Sequence, residues 1–186
     1  MQVCYRQASA KPGVNYFAKV MHFAYTYCMN IYVGTDHRGF YLKEQLQEYL
    51  VAQGYTVEEV GNTVLDPDDD FPEFAQRAAE KVRAGAAHDA RAILLCGGAQ
   101  GMAMAANRFR GIRASVVWDS TEARLARHDN DSNVLCLPAR LLQHHPDIWQ
   151  AIVRTWLETP ASDAPRYKRR NRQLDEFGID GCSHIA

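Results

Sequence analysis

The residues best suited to chemistry lie in Cys96-Gly-Gly-Ala-Gln-Gly101. Ala92-Ile-Leu-Leu95 leads straight into the cysteine, and an alanine-rich run, Met102 to Asn107, follows the last glycine. That order reads as a buried strand, a tight turn and the start of a helix. A strand–turn–helix junction aims free backbone N–H groups and the positive end of a helix dipole at one spot. Whatever is anionic, or becomes anionic, is stabilised there. A cysteine at the head of such a turn can have its thiol pKa lowered. The stretch therefore suits a phosphorylated or enolising ligand with a sulfur beside it. It equally suits a packing turn with an inert buried cysteine, and by itself it leaves both readings open.

Other polar groups are worth weighing beside it. Asp36 and His37 follow an apolar segment by one turn. An aspartate there is commonly a turn-capping residue, whereas a neighbouring imidazole can bind phosphate or move protons near neutral pH. His128-Asp-Asn-Asp-Ser-Asn133 is a polar cluster directly before another apolar segment. Arg166, Arg169, Arg170 and Arg172 make a basic helical face of the kind that is usually solvated. Spacing of four sets Arg166 and Arg170 side by side, suited to one phosphate. Asp66-Pro-Asp-Asp-Asp70 concentrates carboxylates but lacks the ligand spacing and closing glutamate of a calcium loop. It reads as a solvated loop capping the next helix. His88, His144, His145 and His184 have no cooperating neighbour in sequence and read as surface residues.

These groups need positioning, and the chain alternates in a way that supplies it. Strands are expected at Ile31–Gly34, Tyr55–Val60, Ile93–Cys96, Gly111–Val117 and Asn133–Leu137. Helices are expected at Phe40–Gln53, Phe71–Arg83, from the glycine turn to Asn107, at Ser120–His128 and at Pro146–Glu158. Leu42, Leu46, Tyr49 and Leu50 mark the buried stripe of the first helix. Phe74, Ala75, Ala78, Ala79 and Val82 mark the second, and Ile148, Ile152, Val153 and Trp156 the last. Gly54 ends the first helix, and Asp119 or Ser120 caps the fourth. Pro138–Leu142 turns a corner, Thr159–Pro165 is a linker, and a basic helix opens at Arg166 before a frayed tail. Five strands alternating with helices imply an α/β sandwich around a parallel sheet. Ligands in such sheets bind at the carboxyl ends of the strands. Asp36-His37, Cys96–Gly101 and Arg140 all fall there.

The 186 residues suffice for one domain with a substantial core. A net charge of −1 gives no general attraction to nucleic acid or to an anionic membrane. The five cysteines are widely spaced, with no Cys-x-x-Cys pair or Cys/His cluster to hold zinc. They read as a reduced, cytoplasmic thiol set. No apolar run is long enough to span a membrane. Arg6, Lys11 and Lys19 interrupt the first 28 residues, a poor signal peptide. Either Met29 is the natural start or residues 1–28 are a poorly ordered extension. Residues 29–160 would then be the working domain and 161–186 a basic helix and tail.

Several motifs in register, Gly34-Thr-Asp-His-Arg-Gly-Phe40, Leu95-Cys-Gly97, Met104-Ala-Ala-Asn-Arg108, Gly111-Ile-Arg-Ala114, Asn133-Val-Leu-Cys-Leu137 and Ala139-Arg140, resemble the type B ribose-5-phosphate isomerase family. That family includes the galactose-6-phosphate isomerase subunits. The resemblance runs from about Met29 to Leu174, and Asp68–Pro72 and Arg166–Arg170 are similar to its actinobacterial branch. It implies a three-layer Rossmann-like α/β/α sandwich with a five-stranded parallel sheet. It also implies a homodimer or dimer of dimers with the active site at the interface, and an aldose–ketose isomerisation of a sugar phosphate without metal or cofactor. By matching position, Cys96 moves the proton between C2 and C1, and Asp36 binds sugar hydroxyls or assists ring opening. Gly97, Gly98 and Gly101 form the loop around the enediolate, and Asn130 contacts the sugar. His37, Arg140, Arg166 and Arg170 bind phosphate, some of them from the other subunit, which the 161–186 segment would serve.

Departures from the pattern concern the substrate. The family's Ser or Thr two residues past the cysteine is Gly98, and its next glycine is Ala99. Its ring-opening histidine falls on Asp129, beside His128, where a carboxylate could act on the anomeric hydroxyl. The actinobacterial glutamate base is Met102, which leaves Cys96 as the base candidate of this turn. The resemblance thus points first to ribose 5-phosphate. Another sugar phosphate of four to six carbons, or a phosphosugar-binding protein without turnover, is the alternative. A dinucleotide dehydrogenase fits less well, because the glycines are not Gly-x-Gly-x-x-Gly and follow the third strand rather than the first.

Overall fold

The computed structural model of the protein describes residues 29–176. The expectations for residues 1–28, for His184 and for the tail beyond 176 lie outside that span. The sheet is built from β1 (Asn30–Thr35), β2 (Thr56–Glu59), β3 (Arg91–Cys96), β4 (Ala114–Val116) and β5 (Val134–Pro138). All neighbours pair in parallel, in the order β2-β1-β3-β5-β4. The helices are α1 (Phe40–Ala52), α2 (Phe71–Ala84), α3 (Gln100–Ala106), α4 (Ser120–Asn130), α5 (Ala139–Leu142), α6 (Pro146–Glu158) and α7 (Pro165–Glu176). The five-stranded α/β/α sandwich is as expected. The fourth strand is shorter than the sequence suggested, and a 3₁₀ turn at Ala86–His88 was not anticipated.

Alternation along each strand divides the core into two layers. Ile31, Val33, Ile93, Leu95, Leu135 and Leu137 point to one face, where residues of α1, α4 and α6 cover them. Tyr32, Ala92, Leu94, Cys96, Val134 and Cys136 point to the other, under α2 and α3. Right-handed crossovers require this division. The connections β1→β2 and β4→β5 run one way along the sheet, and β2→β3 and β3→β4 run the other, so their helices must lie on opposite faces. Reversal between β1 and β3 opens a crevice at their carboxyl ends.

Two local expectations change. On α6 the buried stripe includes Trp149 and Leu157, while Ile148 is 46% exposed. The helix starts at Pro146 and rolls its indole onto the sheet side, where the Trp149 ring meets Tyr49 edge-on at 5.4 Å. At α2, Asp70 is the N-cap residue but makes no side-chain capping bond. Elsewhere Asp119 caps α4 as expected, accepting from the Glu122 N–H at 2.9 Å.

Ala99, completely buried, sits in the left-handed region with φ 61°. A non-glycine residue there is strained by about 1–2 kcal/mol, which gives a physical reason for a glycine at this turn position. Gly61 passes so close to β1 that an added Cβ would lie 2.4 Å from the Thr35 backbone nitrogen, whereas a Cβ at Gly98 would meet nothing within 4 Å. Gly61→Ala is therefore expected to lower unfolding free energy by roughly 1–3 kcal/mol, and Gly98→Ala to leave it nearly unchanged. Urea titration of the two variants checks the contrast.

Candidate active site

The crevice between β1 and β3 holds one part of the expected site. Asp36 follows β1 and is 6% exposed; Cys96 ends β3 and is 7% exposed. Their turns are stitched together. The Asp36 N–H donates to the Leu95 carbonyl at 3.4 Å, and the Thr35 hydroxyl lies 3.1 Å from the same oxygen. The Asp36 carboxylate accepts from the Arg38 N–H at 2.9 Å, which closes the turn over the strand end.

Cys96 Sγ accepts from the Ala99 N–H at 3.0 Å. The backbone N–H groups of Gly98, Ala99 and Met102 favour the thiolate, but burial first and the Asp36 charge second outweigh them and push the thiol up. The expectation of a lowered thiol pKa is thus corrected: helix-start dipoles cannot offset desolvation at a buried strand end with a carboxylate nearby. Burial likewise raises Asp36, with its bond from Arg38 and the neighbouring His37 working against that shift. A thiol shifted this way is ionised in a smaller fraction near neutrality, but each thiolate is the stronger base.

Around this pair the glycines have separate steric reasons. A Cβ at Gly97 would meet Arg140 Nη2 at 3.1 Å and Arg38 Cγ at 3.5 Å, so both arginine side chains pack against that glycine. The Arg140 N–H also donates to the Gly97 carbonyl at 3.1 Å. A Cβ at Gly101 would strike the Phe71 ring at 2.6 Å, so the first residue of α2 seals the underside of the turn. Gly98 alone of these faces open space. His37 Nδ1 lies 2.7 Å from Asp69 Oδ1, and Asn62 Nδ2 donates to Asp69 Oδ2 at 2.8 Å. Part of the acidic loop therefore serves His37 rather than the helix end.

The remaining predicted residues lie elsewhere in the chain. β3 has six residues, so its two ends are roughly 16 Å apart at about 3.3 Å per residue. Cys96 is at one end. At the other, the Ala92 N–H donates to Asn133 O at 3.0 Å, so the segment that follows α4 lies there. Arg113 gathers this second cluster: Nε donates to Asn130 O and Asp131 O at 3.0 Å, and Nη1 pairs with Asp175 of α7 at 2.8 Å. His128 Nδ1 lies 2.6 Å from Asp129 Oδ1, its ring meets Tyr167 edge-on, and Asn171 Nδ2 donates to Asp129 O at 3.3 Å. Arg166 and Arg170 are exposed on the same α7, with the Arg166 guanidinium over the Tyr167 ring. One chain thus carries Asp36, His37, Gly97, Gly98, Gly101, Cys96 and Arg140 at one end of the sheet. It carries Asp129, Asn130, Arg166 and Arg170 at the other.

Sequence reasoning missed Arg38, Asp69, Phe71 and Arg113. All four sit within motifs already noted, but nothing in their spacing distinguishes a side chain that packs on a glycine, reaches a histidine or joins two helices from a solvated one. Among the described residues no cluster of His, Cys, Asp and Glu is arranged to hold a metal ion.

The Asp36 effect on the sulfur is measurable. Iodoacetamide labelling of Cys96, followed by peptide mass spectrometry across a pH series, should show a midpoint above the ordinary thiol range. Asp36→Asn should move that midpoint to lower pH. An unmoved midpoint would show that the carboxylate does not act on the sulfur.

The chain is similar to known proteins over most of its length. Residues 31–174 match the family described as Ribose/Galactose Isomerase. Ribose-5-phosphate isomerase B of Mycolicibacterium paratuberculosis is 36% identical over 149 residues, covering 80% of this chain and 91% of that protein. A crystal structure of ribose-5-phosphate isomerase B from Mycoplasma genitalium with bound ribulose 5-phosphate superimposes with a TM-score of 0.75. It is 32% identical and covers 80% of this chain and 95% of that one. A 4-deoxy-4-sulfo-D-erythrose isomerase of Clostridium is 39% identical over 111 residues, 59% of this chain and 67% of that protein.

Proposed function

Because the chain belongs to the ribose/galactose isomerase family, we propose that it interconverts the aldose and ketose forms of a phosphorylated sugar, ribose 5-phosphate and ribulose 5-phosphate in the first instance. The observation that carries this reading is the pairing of the Asp36 turn with the Cys96 turn in the β1–β3 crevice, beside His37 and Arg140. A proton next to a carbonyl becomes removable when the developing enediolate is stabilised and a base waits within reach. In this reading the Cys96 thiolate takes the proton from C2 and returns it to C1, and Asp36 holds the sugar hydroxyls. The turn at Gly97, Gly98 and Gly101 lets the substrate approach the backbone closely.

Phosphate is held by His37 and Arg140. Arg38, which packs on the same glycine, adds a second guanidinium at this mouth. Asp129, Asn130, Arg166 and Arg170 stand too far from Cys96 in one chain to act on the same sugar. They are assigned to the site of a second copy, which makes the working unit a homodimer or a dimer of dimers with residues 161–186 completing the partner's site. Spacing of four on α7 presents Arg166 and Arg170 together to one phosphate. Proton-transfer chemistry at Cys96 needs a reduced thiol, so the reading includes a reducing, cytoplasmic compartment.

A second substrate class has its own support. Asp129 stands where the resembling family places its ring-opening histidine, and a similar Clostridium protein is named for a four-carbon sulfosugar. A four-carbon aldose whose last carbon bears phosphate or sulfonate has no hydroxyl left to close a five-membered ring. It would need no ring opening.

Two measurements test the reading. Ribose 5-phosphate and erythrose 4-phosphate are offered to the protein in deuterated water. Deuterium incorporation with ketose formation is expected and should fall by about 10²-fold or more in Cys96→Ala, the size of a lost proton-transfer group. Unchanged Cys96→Ala turnover rejects the assigned base, and faster turnover of erythrose 4-phosphate selects the four-carbon class. Binding of both sugars without exchange would mark a binding protein. Arg170→Ala should raise KM while circular dichroism stays unchanged; loss of fold would make Arg170 structural instead.

A further inference from the structure

Asp69 is a carboxylate with little reason to be hidden. It belongs to a polar loop, yet its side chain is only 3% exposed. Both oxygens are committed, Oδ1 to His37 Nδ1 at 2.7 Å and Oδ2 to Asn62 Nδ2 at 2.8 Å. A buried carboxylate is tolerated when it is paired and hydrogen-bonded, and both conditions are met by residues that lead back into the core. The Lys43 side chain, 3% exposed, donates to the Asn62 carbonyl at 2.7 Å, forms an ion pair with Glu59, and lies over the Phe40 ring at 4.5 Å. Lys43 in turn is tied by its own N–H to the Gly39 carbonyl at 2.9 Å, at the end of the turn that carries His37. The contacts form a closed circuit, from the His37 turn through Lys43, Asn62 and Asp69 back to the His37 ring.

The circuit has a chemical consequence. An ionised carboxylate only accepts hydrogen bonds, so Asp69 requires the hydrogen on Nδ1 of His37. The Nε2 atom has no protein partner among the described residues, and the His37 side chain is 25% exposed. The ring is held on one nitrogen and offered on the other. This is how a second group fixes both tautomer and orientation of a functional histidine. Helix α2 does without a side-chain bond at its Asp70 cap, so the acidic loop's buried bond goes to the imidazole.

We propose that Asp69 is a positioning residue for His37: it accepts from Nδ1–H and, with Asn62 and Lys43, holds the ring so that an Nε2–H is aimed at the substrate phosphate. This rests on the sugar-phosphate reading above for the identity of the ligand. Asp69 does not touch substrate and acts only through His37.

The test is a double-mutant cycle read on phosphate binding as well as on turnover. For ribose 5-phosphate, Asp69→Ala should raise KM roughly ten-fold with kcat held within about three-fold, the size expected for losing one charge-assisted positioning bond. The inhibition constant of inorganic phosphate should rise in parallel. His37→Ala should do the same, and the double variant should be no worse than His37→Ala alone, because a residue acting through another is non-additive with it. Asp69→Asn, whose carbonyl oxygen can still accept from Nδ1, should recover most of the affinity. Nitrogen-15 NMR of the imidazole with inorganic phosphate bound should show hydrogen on both ring nitrogens of His37 in the wild type, and loss of the hydrogen-bonded Nδ1–H signal in Asp69→Ala. Additive effects of the two substitutions, or an unaltered Nδ1–H signal in Asp69→Ala, would overturn the proposal. If the wild type turns over no sugar phosphate, the isomerase reading fails. The Nδ1–H and inorganic-phosphate measurements then still decide the role of Asp69.

Discussion

Parallel pairing of β1 with β3 is the constraint from which the rest of the candidate site follows. In that register Thr35 lies opposite Leu95, so the residues just beyond each, Asp36 and Cys96, emerge side by side. Bonds to the Leu95 carbonyl from Asp36 N–H and the Thr35 hydroxyl lock the two strand ends together. A one-residue slip would send Cys96 to the opposite face of the sheet, away from the covering helix α3 and into the other core layer. The register is itself held by the alternation of Ile93 and Leu95 with Leu94 and Cys96 between two dry layers. Core packing thus sets the geometry of the candidate site.

The same burial sets the chemistry. A sulfur at a strand end under a helix is poorly hydrated, and the nearby Asp36 carboxylate adds repulsion, so the thiol is held up despite three N–H groups facing it. One of those N–H groups belongs to Ala99, whose left-handed backbone turns it toward the sulfur. The strained alanine and the poised thiol are therefore two aspects of one turn. Strain of this kind persists only where surrounding structure over-determines it. Here the core around Ala99, completely buried, does so.

Most of the fold was legible because it depends on short-range pattern. Strand alternation, the glycine after Cys96 and the apolar stripes of α1 and α2 are read within a dozen residues. Failures occurred where the deciding partner is remote. Whether Ile148 or Trp149 faces inward depends on how α6 rolls over the sheet and on Tyr49, 100 residues earlier in the chain. The acidic loop looked solvated because nothing local says that Asp69 will meet His37 across 32 residues. The sign of the thiol shift is not legible in sequence, which displays the turn's dipoles but conceals the depth of burial and the approach of Asp36. Arg113, which binds the end of α4 to α7, lies in a family-like motif, but nothing local shows that it will reach Asp175 across 62 residues.

The division of the expected site between the two ends of β3 bears on how the proposed assembly must work. Isomerisation needs base, sugar contacts and phosphate clamp within a few ångströms of one substrate, and a rigid strand of six residues cannot bring its ends together. Any reading that uses both clusters on one sugar therefore demands a second copy. A two-fold axis is the economical solution, because an operation that carries one chain's α7 onto its partner's Cys96 turn also carries the partner's α7 onto the first. Two complete sites then arise from one self-complementary surface. It also explains, on that reading, why α7 buries none of its residues within its own chain. Arg113 and Asn171 hold it at its inner edge, and on that reading the rest of its basic face serves the ligand of a second copy.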